Sequence, residues 1–385
     1  MVKLLVKING LIGLYLLLFF VSCSSVENEK KVAVAVNQPK QIAVIKYAER
    51  FSIEEYETYK ILTVKGAWKG DENIYQYVLY KSEKPAIAIN ASYIKVPIQK
   101  IACSSLTHIA FIETLEKVNS IVALSGCNFV NSEKVKSRIK SGHIKEIGQY
   151  HSLNYEVLLD KSPDIFMVFG VNESSNQGIN KLKELGITTV LNGEHMEPHP
   201  LGKAEWIKFM AAFYDMGTTA ETYFNKIEES YLSLAQLTRD IEGRPSVFVG
   251  LPFKGDWYAP EGGTFVAKLF QDAGAHYIWG NNTNKGSVVK SKEVVLDVAY
   301  STDFWLNLSN VNSLQEVVAI DEKFTHFEAY KNKQLFNNNK RLNALGGNDY
   351  WESGVINPDL ILKDLIEIFH PSMLNHDLYY YHQLE

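Results

Sequence analysis

Two glutamates stand in matched surroundings. Glu156 lies in Asn154-Tyr155-Glu156-Val157-Leu158-Leu159-Asp160, ahead of Pro163-Asp164-Ile165-Phe166, and Glu293 lies in Ser291-Lys292-Glu293-Val294-Val295-Leu296-Asp297, ahead of Asp303-Phe304-Trp305. Each segment reads as a helix with an Asn or Ser cap, a Glu in its first turn and an apolar face. A carboxylate there gains roughly 0.3–1 kcal/mol from the helix dipole. Capping explains an acidic residue at either site but does not require a pair. Two copies of one unit point to duplication of a lobe. If the lobes are related by a pseudo-twofold axis, Glu156 and Glu293 form one acidic knob per lobe, suited to basic sockets on a two-subunit partner.

Other polar clusters could contact a ligand. Glu194-His195-Met196-Glu197-Pro198-His199 follows the strand-like run Thr188 to Leu191, which places Glu194 and Glu197 near a cleft mouth at the end of a strand. Imidazole and carboxylate suit zinc or iron, but the spacing of a structural metal site is missing and no metal is assigned. Asn337-Asn338-Asn339-Lys340-Arg341, with Gly346-Gly347-Asn348-Asp349-Tyr350-Trp351-Glu352, is too long for a plain turn and reads as a lip of the cleft. Arg341 there could pair bidentately with a ligand carboxylate, and Tyr350 and Trp351 are candidate contacts. In Ser104-Ser105, Ser105 reads first as the cap of the following helix and second as a ligand contact. Phosphate loops, nucleophile elbows and zincin helices are absent from the sequence. No catalytic residue and no cofactor are expected, and the chain does not read as an enzyme.

The elements that must position these residues alternate. Residues 38–95 read as a β-rich accessory segment, with a hairpin of Lys60 to Val64 and Tyr75 to Tyr80 around Gly70-Asp71-Glu72-Asn73. From about residue 97, short apolar strands at Gln99 to Ala102, Ser120 to Leu124, Ile165 to Phe169 and Thr188 to Leu191 alternate with amphipathic helices, the pattern of βαβ units on a parallel sheet. A helical stretch follows: Ala204 to Tyr214, a break at Gly217-Thr218-Thr219, then Ala220 to Ile241 with Phe224, Ile227, Tyr231, Leu234 and Leu237 on one face. The βα rhythm restarts at Val247-Phe248-Val249. The expected organisation is an α/β protein of two lobes, 96–203 and 243–372, joined by a helical linker, 204–242, with a tail, 373–385.

The N-terminus sets the compartment. Lys3 and Lys7 precede an apolar run, Leu11 to Val21, which ends in Ser22-Cys23. At about eleven residues the run is shorter than the roughly twenty a spanning helix needs, and it reads as a signal peptide, 1–22, with Cys23 as the lipidated residue. Phe20 stands where the lipobox most often has Leu. Residues 23–37 read as a polar tether. A net charge of −5, with no basic block, argues against a nucleic-acid partner. Cys103 and Cys127 remain, either as a disulfide or as two buried thiols.

From about residue 97 to 370 the sequence resembles the periplasmic binding proteins of iron-siderophore, haem and cobalamin ABC importers. The resemblance rests on Lys100-Ile101-Ala102 leading into Ser104-Ser105-Leu106-Thr107, on Ile121-Val122-Ala123-Leu124, and on Gly148-Gln149-Tyr150 ahead of Asn154-Tyr155-Glu156. It continues in Ser162-Pro163-Asp164-Ile165, Leu185-Gly186-Ile187 and the second Glu-containing unit. It implies two Rossmann-like lobes with parallel sheets, bridged by a long helix, and a ligand in the cleft. It further implies that Glu156 and Glu293 dock on Arg residues of an ABC permease dimer with its ATPase, in a lipid-anchored protein facing the periplasm. Tyr150 stands where cobalamin-binding relatives carry an aromatic cleft residue, and Phe169 is similarly placed; in the second lobe, Trp257 and Tyr258 follow a strand end. A ferric siderophore is the expected ligand. Cobalamin comes second, because Ser287 replaces the second aromatic residue of those relatives. Haem comes third, because the haem-binding relatives place their Tyr where Gln149 stands. A non-transport scaffold of the cell envelope is the alternative from a different class.

Overall fold

Apolar residues at every second position of the accessory segment bury one face of a sheet. The computed structural model describes residues 38–149, 152–170 and 175–385. Cys23, the signal run and the tether lie outside the described residues, as does Tyr150. The expected hairpin forms from Tyr59–Lys65 and Ile74–Tyr80, with Leu62 opposite Tyr77. It is the centre of a five-stranded sheet that also takes in Gln41–Ile42, Phe51–Glu55 and Ser92–Lys95. Phe51 projects from this sheet onto the first lobe, its ring 4.8 Å from Trp206 and 5.6 Å from Phe209. The accessory sheet therefore shares a core with that lobe.

The first lobe is a parallel five-stranded sheet in the order Thr189–Asn192, Ile165–Phe169, Ile101–Cys103, Ile121–Leu124, Lys145–Glu146. Its central strands are apolar throughout because helices cover both faces. The second lobe repeats the plan with His276–Tyr277, Ser246–Val249, Phe304–Leu306 and Leu335–Asn337 in parallel, and an antiparallel His382–Gln383 at the edge. A small antiparallel sheet of Pro252–Phe253, Asp256–Pro260 and Ser287–Ser291 is added to it.

The duplication extends beyond the sequence match. In each lobe the strand after the Glu-bearing helix lies beside the lobe's first strand. In each, an Asp at the head of that strand ties down the chain entering the first strand. Asp164 accepts hydrogen bonds from the backbone N–H of Gln99 (2.6 Å) and Lys100 (2.8 Å), and Asp303 from the N–H (2.7 Å) and hydroxyl (2.6 Å) of Ser246.

Three boundaries differ from expectation. The first helix of the linker runs Pro200–Tyr214 and buries every residue except Lys203 and Lys208, so it belongs to the core. It starts at Pro because proline's fixed φ suits a first helical position. The break before the next helix, Gly217–Leu237, is made by Asp215, which adopts the left-handed conformation at φ 57°, and not by a Thr cap. That second helix is about 31 Å long at 1.5 Å per residue; it packs Phe224 and Tyr231 inward and leaves Leu237 half exposed. Finally, residues 373–385 are not a free tail. Tyr380, Tyr381 and Leu384 are buried, and the N–H groups of Tyr379, Tyr380 and Tyr381 are held by the buried carboxylate of Asp364.

Candidate functional site at the seam between the lobes

The carboxyl ends of the parallel strands carry the turns where α/β sheets place ligands. In the first lobe, Ser104 and Ser105 follow one such strand. Ser104 accepts from the backbone N–H of Phe169 at 3.1 Å, and Ser105 caps the helix Leu106–Thr114 by accepting from Thr107 N–H at 3.3 Å. Phe169, half-buried, turns its edge to His195 at 5.9 Å. At the second position of the capped helix, Thr107 enters a pocket shared with the second lobe. Pro200 and Lys203 line it from the first linker helix, Phe265 and Leu269 from the helix Phe265–Asp272, and Tyr350 and Trp351 from the segment read as the cleft lip.

The pocket encloses about 50 Å³. A bound chelate needs roughly 300–1,000 Å³, so this is a foothold at the seam and not a chamber for a whole ligand. Its chemistry is an apolar wall with one cation. Lys203 Nζ lies 4.8 Å above the Phe265 ring and is held by Glu194 at 2.7 Å. Burial pushes the Glu194 carboxyl up, but the charge and hydrogen bond of Lys203 outweigh it and leave it below the ordinary range. Trp351 is half exposed beside the buried Tyr350, with its ring 4.7 Å away.

The seam beyond the pocket is closely joined. Asn343 donates to the backbone oxygens of Asn128 (3.0 Å) and Val130 (2.9 Å), and a side chain at Gly347 would strike Phe129 O. Glu352, buried, accepts from the N–H groups of Asn131 (2.6 Å) and Ser132 (2.8 Å), and burial pushes its carboxyl up to about 7. The lip 346–352 thus seats the second lobe on the first.

Several candidate residues are elsewhere. Trp257 is fully buried, donates to Val249 O at 2.8 Å and packs against Trp305 and Phe248, so it is core and not rim. The reason is that Asp256–Pro260 is a strand, whose neighbouring residues must face opposite sides; Tyr258 is the outward one and is half exposed. Glu197 is buried away from any cleft mouth, accepting from Glu49 N–H (2.8 Å), Arg50 N–H (3.0 Å) and Trp206 Nε1 (3.0 Å). Burial pushes it up to about 7. Glu194 is likewise buried and reaches the pocket only through Lys203. Arg341 is committed to Asp349 at 2.6 Å and stacks over Tyr379. Cys103 and Cys127 are unbonded. Among the described residues no group of three or more His, Cys, Asp or Glu side chains is arranged to hold a metal ion.

The paired glutamates are exposed, each at the second position of its helix. Glu156 is in Tyr155–Lys161, capped by Asn154, and Glu293 is in Lys292–Ala299, capped by Ser291. A hydrogen bond from its own backbone N–H, with another from the Ser291 hydroxyl, lowers the Glu293 carboxyl below its ordinary range. The sequence reading missed Thr107, Lys203 and Phe265. Lys203 alone left a trace, as one of three charged positions, with Glu205 and Lys208, in an otherwise apolar helix.

A family model described as periplasmic binding protein matches residues 101–342, more than half of the chain and parts of both lobes. The chain belongs to the periplasmic binding protein family. It is a solute-binding protein of an extracytoplasmic class, and this family consists of binding proteins and not enzymes. An uncharacterized lipoprotein of Methanocaldococcus jannaschii is 25% identical over 374 residues, covering 90% of this chain and 87% of its own. Among solved structures, a periplasmic heme-binding protein from Pseudomonas aeruginosa superposes with a TM-score of 0.58 at 14% identity, covering 75% of this chain and 98% of its own. CeuE from Helicobacter pylori, solved as a Ni-His complex, gives 0.55 at 18% identity, covering 81% of this chain and 89% of its own. At these identities the two solved structures establish the periplasmic binding protein fold. Residues 38–100 of this chain lie outside the family match.

Proposed function

We propose that this periplasmic binding protein is anchored through a lipid on Cys23, captures a metal chelate between its lobes, most of all a ferric siderophore, and delivers it to an ABC permease dimer. The observation that carries the reading is the matched pair of exposed glutamates, Glu156 and Glu293, on equivalent helices of two lobes that share one seam. A carboxylate on each lobe suits a partner with two like subunits, each offering an Arg socket. The ligand class is supported by the seam pocket, where Trp351, Phe265 and Lys203 offer aromatic faces and a cation to a flat, anionic complex. It is also supported by relatives whose ligands are heme and Ni-His. The anchor is supported by the lipobox-like Ser22-Cys23 and by the archaeal lipoprotein relative. Haem is the second reading, favoured by Lys203, which could pair with a propionate. Cells lacking this protein should lose accumulation of the chelate at low external concentration and regain it when the chain is restored. Unchanged accumulation of ferric siderophores, haem and cobalamin would overturn the transport role.

A further inference from the structure

The segment that enters the accessory sheet crosses both linker helices before it reaches the first long strand. Buried Glu205, on the first of these helices, accepts hydrogen bonds from the N–H groups of Lys46 (2.9 Å), Tyr47 (2.8 Å) and Ala48 (3.0 Å), and Glu197 holds the next two N–H groups. On the second helix, Glu228 receives Lys46 Nζ at 2.6 Å and the Tyr47 hydroxyl at 2.8 Å. Gly202 lets the segment lie this close, since a side chain there would meet Tyr47 O at 2.9 Å. The contact then passes to the second lobe, where Lys285 Nζ meets Glu49 Oε2 at 2.5 Å. The loop bearing Lys285 is bonded to the turn before Phe265: Glu261 N–H donates to Gly286 O (2.9 Å) and Gly263 N–H to Asn284 O (2.9 Å). Both walls of the seam pocket, Lys203 on one side and Phe265 on the other, are thereby tied to one stretch of chain.

We propose that residues 43–50 form a strap that sets the spacing of the two lobes, with Glu49–Lys285 as its releasable latch. The strap is fixed firmly at the linker helices, where its partners are buried carboxylates. At the second lobe it is fixed weakly, because Glu49 and Lys285 side chains are 51% and 46% exposed. An exposed ion pair contributes at most about 1 kcal/mol, so releasing it shifts the ratio of parted to joined lobes no more than about fivefold. That is small enough for a docking partner or a change in salt to open the latch. The consequence for ligand exchange rests on the two-lobe binding reading; the spacing itself does not depend on any ligand.

The test is an interlobe distance distribution measured without ligand, between nitroxide labels at Lys140→Cys and Asp297→Cys in the full chain with Cys23→Ser and Cys127→Ser, the remaining Cys103 being fully buried. Glu49→Lys or Lys285→Glu should broaden the distribution toward longer distances, and the double charge swap should restore the narrow one. Salt at about 1 M, which shortens the screening length to about 3 Å, should broaden the unsubstituted protein in the same way and requires no substitution at the latch. A distribution unmoved by the single variants and by salt overturns the latch. So does a double swap that fails to restore it. Either result leaves the ligand reading untouched.

Discussion

Glu205 has no exposed surface, yet it receives three consecutive backbone N–H groups and Lys208 Nζ at 2.8 Å. Removing it would strand those donors in the core. Glu205→Ala should therefore lower stability by about 3–5 kcal/mol, read from the midpoint of a denaturant titration; a loss within about 0.5 kcal/mol would show that the clamp is dispensable. His108 presents the opposite case. It is fully buried, both ring nitrogens lack a hydrogen-bond partner, and its titratable neighbours are Glu194 and His195. Burial lowers it to about 4. Because the unfolded imidazole titrates near 6.5, the unfolded chain takes up the proton first as pH falls. The stability that neutral His108 carries is present above about pH 6.5 and is lost toward pH 4. His108→Leu removes the unpaired polar atoms and this titration together. It should be neutral or stabilising at pH 7.5, with an advantage that grows by pH 5 in thermal melts; an advantage that shrinks with acid would contradict the assignment.

Elements with strong local signals were legible in the sequence. Ile121–Leu124 and Ile165–Phe169 are continuous apolar runs, as buried parallel strands must be. Strands of two or three residues, such as Lys145–Glu146 and Leu335–Asn337, carry too few positions for any period to register. Trp257 is hidden from a sequence reading because the five-residue strand that buries it is bounded by Gly255 and Pro260, residues that ordinarily mark turns. Asp215 ends its helix in the left-handed conformation that glycine most often supplies at such a position, so the residue type does not mark the helix end in the sequence. At this scale the paired Glu helices make a separable prediction. The double variant Glu156→Lys, Glu293→Lys should abolish uptake in cells while leaving equilibrium ligand affinity within about twofold. Both side chains are exposed and neither lines the seam pocket. Loss of ligand affinity in that variant would place them at the binding surface instead.

Across the whole molecule, the two-lobe plan was legible because duplication leaves a repeated cap, Glu and Asp in the sequence. The site was less so. Glu197, Glu352 and Asp364 all serve backbone N–H groups far away in the chain, at 49–50, 131–132 and 379–381. Sequence reports that such a residue is charged, but it does not report which distant N–H groups arrive beside it. The same long-range assembly hides Lys203 and Phe265, which meet across the seam only once both lobes are folded. The central claim is that this seam receives a metal chelate. Trp351, half exposed at the pocket, supplies a reporter. The most direct measurement is an equilibrium titration of the purified mature protein with ferric siderophores, haem and cobalamin, following tryptophan fluorescence in the unsubstituted chain and in Trp351→Phe. The account predicts saturable one-to-one quenching by one of these chelates, with most of the signal lost in Trp351→Phe. No saturable binding of any of the three would contradict it.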